Sequence, residues 1–400
     1  MRPVEIAPNV FEVGVRDWNI RDFHGYSTPA GTTYNAFLIR GETNVLIDTV
    51  KAEFTEELLS NIRAIMDPKD IDIVVSNHTE MDHSGGLPRI MAAVGQDKPL
   101  YCSKMGAKNL ARHFRENWNL KEVSSSEEIS IGSGRTLMFI ETRMLHWPDS
   151  MFTYLKEDGI LFSSDAFGQH YAGSEIFDDQ MDMSELLFHA KKYYANILLP
   201  FSALIAKLLK AVGEMGLKLN MVCPDHGILW RKDPGVILDA YDRWSRQETQ
   251  NKAVVIYDTM WHSTEMMADA IVSGLVEAGV EQVRPISVRR SHRSDIMTEI
   301  MDAKVVMVGS PTLNNQIFPA LMDVLTYMKG LKPQGKIAAA FGSYGWSGEA
   351  VKLLNAELAG MGFELPEEGL RIQYVPERDQ LTLCHGLGMR MGLRAQGREV

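Results

Sequence analysis

The sequence predicts two α/β domains in tandem, a sandwich of sheets covered by helices followed by a doubly wound parallel sheet, and three observations carry the prediction. The first 250 residues crowd short apolar runs rich in β-branched residues between turns, with helical patterns interspersed. Around residues 246–252 the string RQETQNK is polar and lacks an apolar anchor, which reads as a linker. From Ala253 onward strand and helix patterns alternate strictly, as a parallel sheet with crossover helices requires. The expected domains are residues 1–248 and 252–400.

In the first domain, Tyr34 to Ile39 and Val45 to Val50 flank the turn Gly41-Glu42-Thr43 and read as a hairpin. Further strand patterns cover 71–76, 137–142, 151–155, 160–163 and 221–223, and helical patterns cover 53–66, 86–94, 104–115 and 183–214. In the second domain, strands are expected at 253–257, 283–287, 305–309, 337–341 and 371–375. Helices fall between them at 265–278, 294–301, 319–329 and 348–361, with one more at the C-terminus.

A formal net charge of −11 argues against general binding to nucleic acid or an anionic membrane. The charge is unevenly spread: residues 251–400 hold 15 basic against 17 acidic side chains, so −9 of it falls on the first 250. Cys102, Cys223 and Cys384 are widely separated and form no C-x-x-C pair, so neither a disulfide framework nor a thiolate metal site is indicated. The first fifteen residues lack the apolar core of a signal peptide, and no stretch approaches the ~20 apolar residues of a membrane span. The expectation is a cytoplasmic protein without a membrane or nucleic-acid partner.

The segment Ser76-Asn77-His78-Thr79-Glu80-Met81-Asp82-His83 follows an apolar strand and places His78, Glu80, Asp82 and His83 within six residues. Such density of imidazole and carboxylate suits metal ligation better than a polar loop. His146, Asp165 and His226 each lie just beyond a later strand pattern, in Met144 to Ser150, Ser163 to Asp165 and Pro224 to Gly227. Singly, each reads as an ordinary loop residue or helix cap. Together, on strands ending at one edge of a sandwich, they would converge.

In the second domain, Asp258 to Thr264 runs from the first strand into a helix and carries three hydroxyls, so amides, helix dipole and hydroxyls suit a phosphate. Neither a dinucleotide fingerprint nor an NTP-binding P-loop is present. Ser310 to Asn315 and Gly342 to Gly348 follow later strands, at the edge where doubly wound sheets bind ligands.

H-x-E-x-D-H, then His, Asp and His, then the hydroxyl-rich loop, resemble the flavodiiron family: a metallo-β-lactamase-like αββα sandwich fused to a flavodoxin-like domain. The resemblance covers essentially the whole chain. It implies one metal on His78, Glu80 and His146, a second on Asp82, His83 and His226, and Asp165 bridging. Glu80 stands where hydrolases of the fold usually carry His, which favours two irons over zinc. His24 and Tyr193, with Tyr194, are candidates to hydrogen-bond molecules held at the metals, against the packing role buried tyrosines usually have. The implied flavin is FMN, with Thr259, Met260, Trp261, His262, Ser263 and Thr264 on its phosphate. Pro311, Thr312, Asn314, Asn315, Ser343, Tyr344, Gly345 and Trp346 surround its ring.

The implied activity is reduction of dioxygen to water or nitric oxide to nitrous oxide, with electrons from a separate rubredoxin-like carrier. The implied assembly is a head-to-tail homodimer or a dimer of dimers. The alternative is a zinc-dependent hydrolase with an attached flavodoxin-like domain. The basic run Val288 to Arg293 reads as a solvated turn or, on the functional side, as a patch that steers an acidic donor.

Overall fold

Strand Phe37–Ile39 is buried at all three positions because its two faces serve different cores. Phe37 and Ile39 face the layer between two sheets with Val45, Ile47 and Val75, whereas Leu38 joins Leu46 and Val74 under the covering helices. This period-two division makes a sandwich of two sheets with helices outside. The structure, a computed structural model describing residues 2–398, separates into two units. One comprises residues 1–24, 28–193 and 203–242, the other residues 25–27, 194–202 and 243–400.

In the first unit, seven strands stand in the order Val4–Ala7, Val10–Glu12, Phe37–Ile39, Val45–Ile47, Ile73–Ser76, Pro99–Ser103 and Asn119–Val123. Helices Thr55–Arg63, Leu87–Val94 and Lys104–Phe114 cover this sheet through Leu58, Ile62, Ile90, Met91 and Leu110. Five strands form the facing sheet: Glu128–Gly132, Arg135–Glu141, Met151–Leu155, Ile160–Phe162 and Met221–Cys223. Strand Arg135–Glu141 is antiparallel to Met151–Leu155, which is antiparallel to Ile160–Phe162, which is parallel to Met221–Cys223. Three strands of this sheet therefore end on one edge, and the loops after them carry His146, Asp165 and His226.

The second unit is a five-stranded sheet, parallel at every pairing. Its order is Gln282–Ser287, Gln250–Tyr257, Ala303–Gly309, Ile337–Tyr344, Leu370–Gln373, with the second strand in sequence at the edge. That order is the flavodoxin-like one, with its switch point beside the first strand. The core gathers Val255, Met307, Ala339 and Phe341 under helices Ser263–Glu277 and Arg378–Ala395 through Ile271, Leu275 and Leu387.

The hairpin expected across Gly41 to Thr43 is present, pairing Phe37–Ile39 with Val45–Ile47. Its first strand is shorter than expected, because Thr32–Tyr34 turns away to pair with Val15–Asp17. The long helix expected over 183–214 is helix Met183–Tyr193, a π-helical turn Tyr194–Leu198, a 3-10 turn Leu199–Phe201 and helix Ser202–Glu214. Pro200, which has no N–H to donate, lies at that break. By length and composition alone the run Met183–Glu214 is long and apolar enough to cross a membrane, which amends the expectation that no stretch comes close. The polar string at 246–252 is not all linker either. Strand Gln250–Tyr257 begins inside it, and Lys252 is buried in ion pairs with Glu299 at 2.6 Å and Asp302 at 2.8 Å.

Candidate metal centre and cofactor cavity

Seven side chains from four strand-end loops meet in the first unit. His78, Glu80, His146 and Asp165 bring one ligand atom each to within 4.8 Å of one another, as do Asp82, His83 and His226. Asp165 joins the two groups by dividing its oxygens. Oδ2 lies 3.3 Å from His78 Nε2 and 3.2 Å from His146 Nε2, while Oδ1 lies 3.0 Å from His83 Nε2 and 3.4 Å from His226 Nε2. Glu80 Oε2 closes the first group at 3.2 Å from His78 and 3.1 Å from His146. Asp82 Oδ2 closes the second, 3.4 Å from His83 and 3.2 Å from His226.

Of these approaches the one between His78 Nε2 and Glu80 Oε2 has hydrogen-bond geometry, whereas those to Asp165 do not. Both oxygens of Asp165, Asp82 Oδ1 and His83 Nε2 are buried and, among the described residues, satisfy no hydrogen-bond geometry. Buried ligand atoms that converge without hydrogen-bond geometry are what metal ligation needs, and buried orphans are otherwise costly. The charge demand agrees. Burial works against a charge on His78 and His146, yet neighbouring carboxylates hold them protonated up to about 10 and about 9. Burial would raise Glu80, but His146 and His78 hold it down to about 2. The cavity calls for positive charge, which protons or metal ions can supply. The donor set of four imidazoles and three carboxylates, without thiolate, fits two divalent ions of the iron class.

The far nitrogens of two imidazoles, His78 and His226, are hydrogen-bonded to groups whose roles spacing did not announce, and that of His83 faces a carboxylate without a hydrogen bond among the described residues. Asp149 Oδ2 lies 3.2 Å from His78 Nδ1 and accepts from the Thr79 amide at 2.8 Å and the Thr79 hydroxyl at 2.7 Å. Asp225 Oδ2 lies 3.5 Å from His83 Nδ1. The Thr33 carbonyl is 2.6 Å from His226 Nδ1. Such partners set tautomer and ring orientation. Gly227 turns the chain after His226 at a φ of +80°, and its N–H donates to the Thr33 hydroxyl at 2.6 Å.

His24 reaches Glu80 Oε1 at 3.4 Å with its own side chain 71% exposed. The Tyr193 ring is buried 5.0 Å from that of His170 and 6.1 Å from that of His226. Burial and the charge of Asp165 hold its phenol well above the usual range, so it stays a donor. Tyr194 is bonded elsewhere, its hydroxyl 3.0 Å from that of Ser202.

In the second unit a cavity of about 580 Å3 opens at the carboxyl edge of the sheet. Met260, Trp261, Ser263, Pro311, Thr312, Asn314, Ser343, Tyr344, Gly345 and Trp346 line it, together with Leu313, Tyr374 and Val375, which the sequence reading did not include. Tyr374 and Val375 follow the last strand, Leu370–Gln373, whose end was placed two residues too far along. Thr259, His262, Thr264 and Asn315 are not in its lining. Thr264 is buried against Ser343, hydroxyl to hydroxyl at 2.9 Å, and His262 pairs with Glu265 at 2.6 Å. Hydroxyls at a helix start and aromatic planes above them fit a flavin phosphate and ring.

Known proteins resemble this chain over both units. A family model described as ODP family beta lactamase matches residues 32–227, and one described as Flavodoxin matches residues 255–386. The chain is 46% identical to a nitric oxide reductase of Moorella thermoacetica over 98% of its own length and 99% of that protein's. It superposes on the rubredoxin oxygen:oxidoreductase of Desulfovibrio gigas with a TM-score of 0.96 and 40% identity, covering 99% of each chain. The flavodiiron protein of Giardia intestinalis gives a TM-score of 0.96 at 36% identity, covering 99% of this chain and 97% of that one.

Proposed function

Since this chain belongs to the flavodiiron family, we propose that it is an oxidoreductase that reduces dioxygen to water, nitric oxide to nitrous oxide, or both, with electrons passed through FMN. The observation that carries the reading is Asp165, whose two oxygens face two separate imidazole pairs. A hydrolase reading has less behind it, since the relatives above are named reductases or oxidoreductases and Glu80 fills a position where a third imidazole would favour zinc.

His78, Glu80 and His146 would hold one iron, Asp82, His83 and His226 the other, and Asp165 both. Two ferrous ions and a two-electron flavin supply four electrons together, the number that turns one dioxygen into two waters; coupling two nitric oxides to nitrous oxide and water takes two. The chain's own residues do the rest. Asp149 and the Thr33 carbonyl keep the lone pairs of His78 and His226 pointed inward. Tyr193 holds its proton on the phenol oxygen and offers a hydrogen bond to a small molecule at the centre. Glu80 and His146, the more exposed ligands, mark the side from which a gas reaches it.

The electron donor is proposed to be a rubredoxin-like carrier, following the name of the Desulfovibrio gigas structure. The assembly is proposed to be a head-to-tail homodimer or a dimer of dimers. A reducing, cytoplasmic setting is supported by three buried cysteines, all free. The test is metal and flavin analysis of protein purified without oxygen and supplied with iron. About two irons and one FMN per chain are expected, and stoichiometric zinc in their place would overturn the reading.

A further inference from the structure

The basic run Val288 to Arg293 is largely engaged within its own unit. Arg293 pairs with Asp323 at 2.6 Å. Arg289, at the turn after strand Gln282–Ser287, sends its Nε to Asp258 Oδ1 at 2.7 Å. Asp258 is the first residue of the loop expected to hold the flavin phosphate, and its side chain is only 1% exposed. The same Oδ1 accepts the Thr259 amide at 2.7 Å, so the carboxylate shapes the start of that loop. Asp258 Oδ2 and the Thr259 hydroxyl are buried without a hydrogen bond among the described residues.

A buried carboxylate in a phosphate loop creates a conflict, because a phosphate dianion a few residues away is repelled by it. Arg289 answers the charge. Its guanidinium carbon also lies 4.9 Å above the Phe318 ring. The Phe318 amide in turn donates to the Ser310 hydroxyl at 3.0 Å, at the start of the loop expected around the flavin ring. One side chain thus joins both loops.

We propose that Arg289 is a positioning residue for the flavin phosphate: it cancels the Asp258 carboxylate and ties the phosphate loop to the segment after Ser310. This rests on the assignment of the cavity to FMN. The Arg289 side chain is still 53% exposed, so this role is separate from any part in a donor-steering patch.

The test is titration of the flavin-depleted full chain with FMN and, separately, with riboflavin, which has the ring but no phosphate, followed by flavin fluorescence. Arg289→Ala is expected to weaken FMN about tenfold or more and to change riboflavin less than about twofold. Arg289→Lys, which keeps the charge, should recover part of the loss. Adding Asp258→Asn to Arg289→Ala should restore FMN to within about threefold of wild type, because the repelling charge is gone. Equal weakening of both flavins by Arg289→Ala, unchanged FMN affinity, or a loss that Asp258→Asn does not relieve would each overturn the inference while leaving the FMN reading intact. A wild-type chain that binds neither flavin would overturn that reading and the inference with it.

Discussion

The candidate metal centre and the flavin cavity hold charged groups under different conditions. At the metal centre five of the seven ligand side chains are buried, with Glu80 and His146 intermediate, and two imidazoles are braced from behind by Asp149 and a backbone carbonyl. Around the flavin cavity the aromatic lining stands in the open, with Trp346 88% exposed and Trp261 81% exposed. The first site is a prearranged frame whose strain is unpaired charge, relieved by cations. The second, on the proposed FMN assignment, is a phosphate cradle with an apolar rim that a ring would cover. Losing a part of the frame should therefore cost far more than losing a part of the rim.

The most damaging change should be Asp165→Ala, which leaves four imidazoles without their shared carboxylate. Both metals should be lost while flavin content stays at the wild-type level, as measured by metal analysis and absorbance. Retention of both metals would show that the bridge is elsewhere.

Acid comes next. In the metal-free chain the surrounding carboxylates raise His78 to about 10, His146 to about 9 and His83 well above the usual imidazole range, so all three carry protons at neutral pH and must release them to bind metal. These pKa values are raised, so proton binding stabilises the metal-free fold at neutral pH and below, and that contribution is lost as pH climbs through 9 to 10. Metal affinity runs the other way, strengthening with pH up to that range. Calorimetry in buffers of different ionisation enthalpy should find about three protons released per chain at pH 7, equivalent to roughly a thousandfold in affinity per pH unit. A pH-independent affinity would place the protons on other groups.

Asp149→Ala should be milder, since it removes the brace behind His78 and the acceptor of Thr79 and Asn109 but no ligand. A loss of metal affinity of about 10- to 100-fold is expected, with flavin binding untouched. Weakest of all should be Trp346→Ala at the cavity rim, where FMN affinity is expected to fall about three- to tenfold and metal content to stay the same. A Trp346 effect larger than that of Asp149 would invert the contrast between frame and rim.

The two-domain architecture was legible because strand and helix periods change style near residue 250 and because both faces of the sandwich strands are apolar. The seven residues that converge in the first unit were legible for a similar reason: each follows an apolar run, and runs that end on one edge bring their loops together. The groups behind the imidazoles were not. Asp149 and Asp225 sit inside the quoted segments, but a carboxylate behind an imidazole has no spacing of its own, and the Thr33 carbonyl belongs to the backbone. In the second unit, strand-end loops announced most of the cavity lining, while the inward turn of Thr264 toward Ser343 depends on packing that a hydroxyl count cannot resolve. Arg289 read as part of a charged surface because its partner, Asp258, lies 31 residues away.

The central claim, that flavin and metal centre act as one reductase, is tested most directly by a single turnover. The chain, loaded with iron and FMN and fully reduced without oxygen, is mixed with limiting dioxygen while flavin absorbance and hydrogen peroxide are followed. The account expects about one dioxygen consumed per chain, flavin oxidation together with the metals, and no peroxide. Stoichiometric peroxide from flavin alone, with the metal centre unchanged, would contradict it.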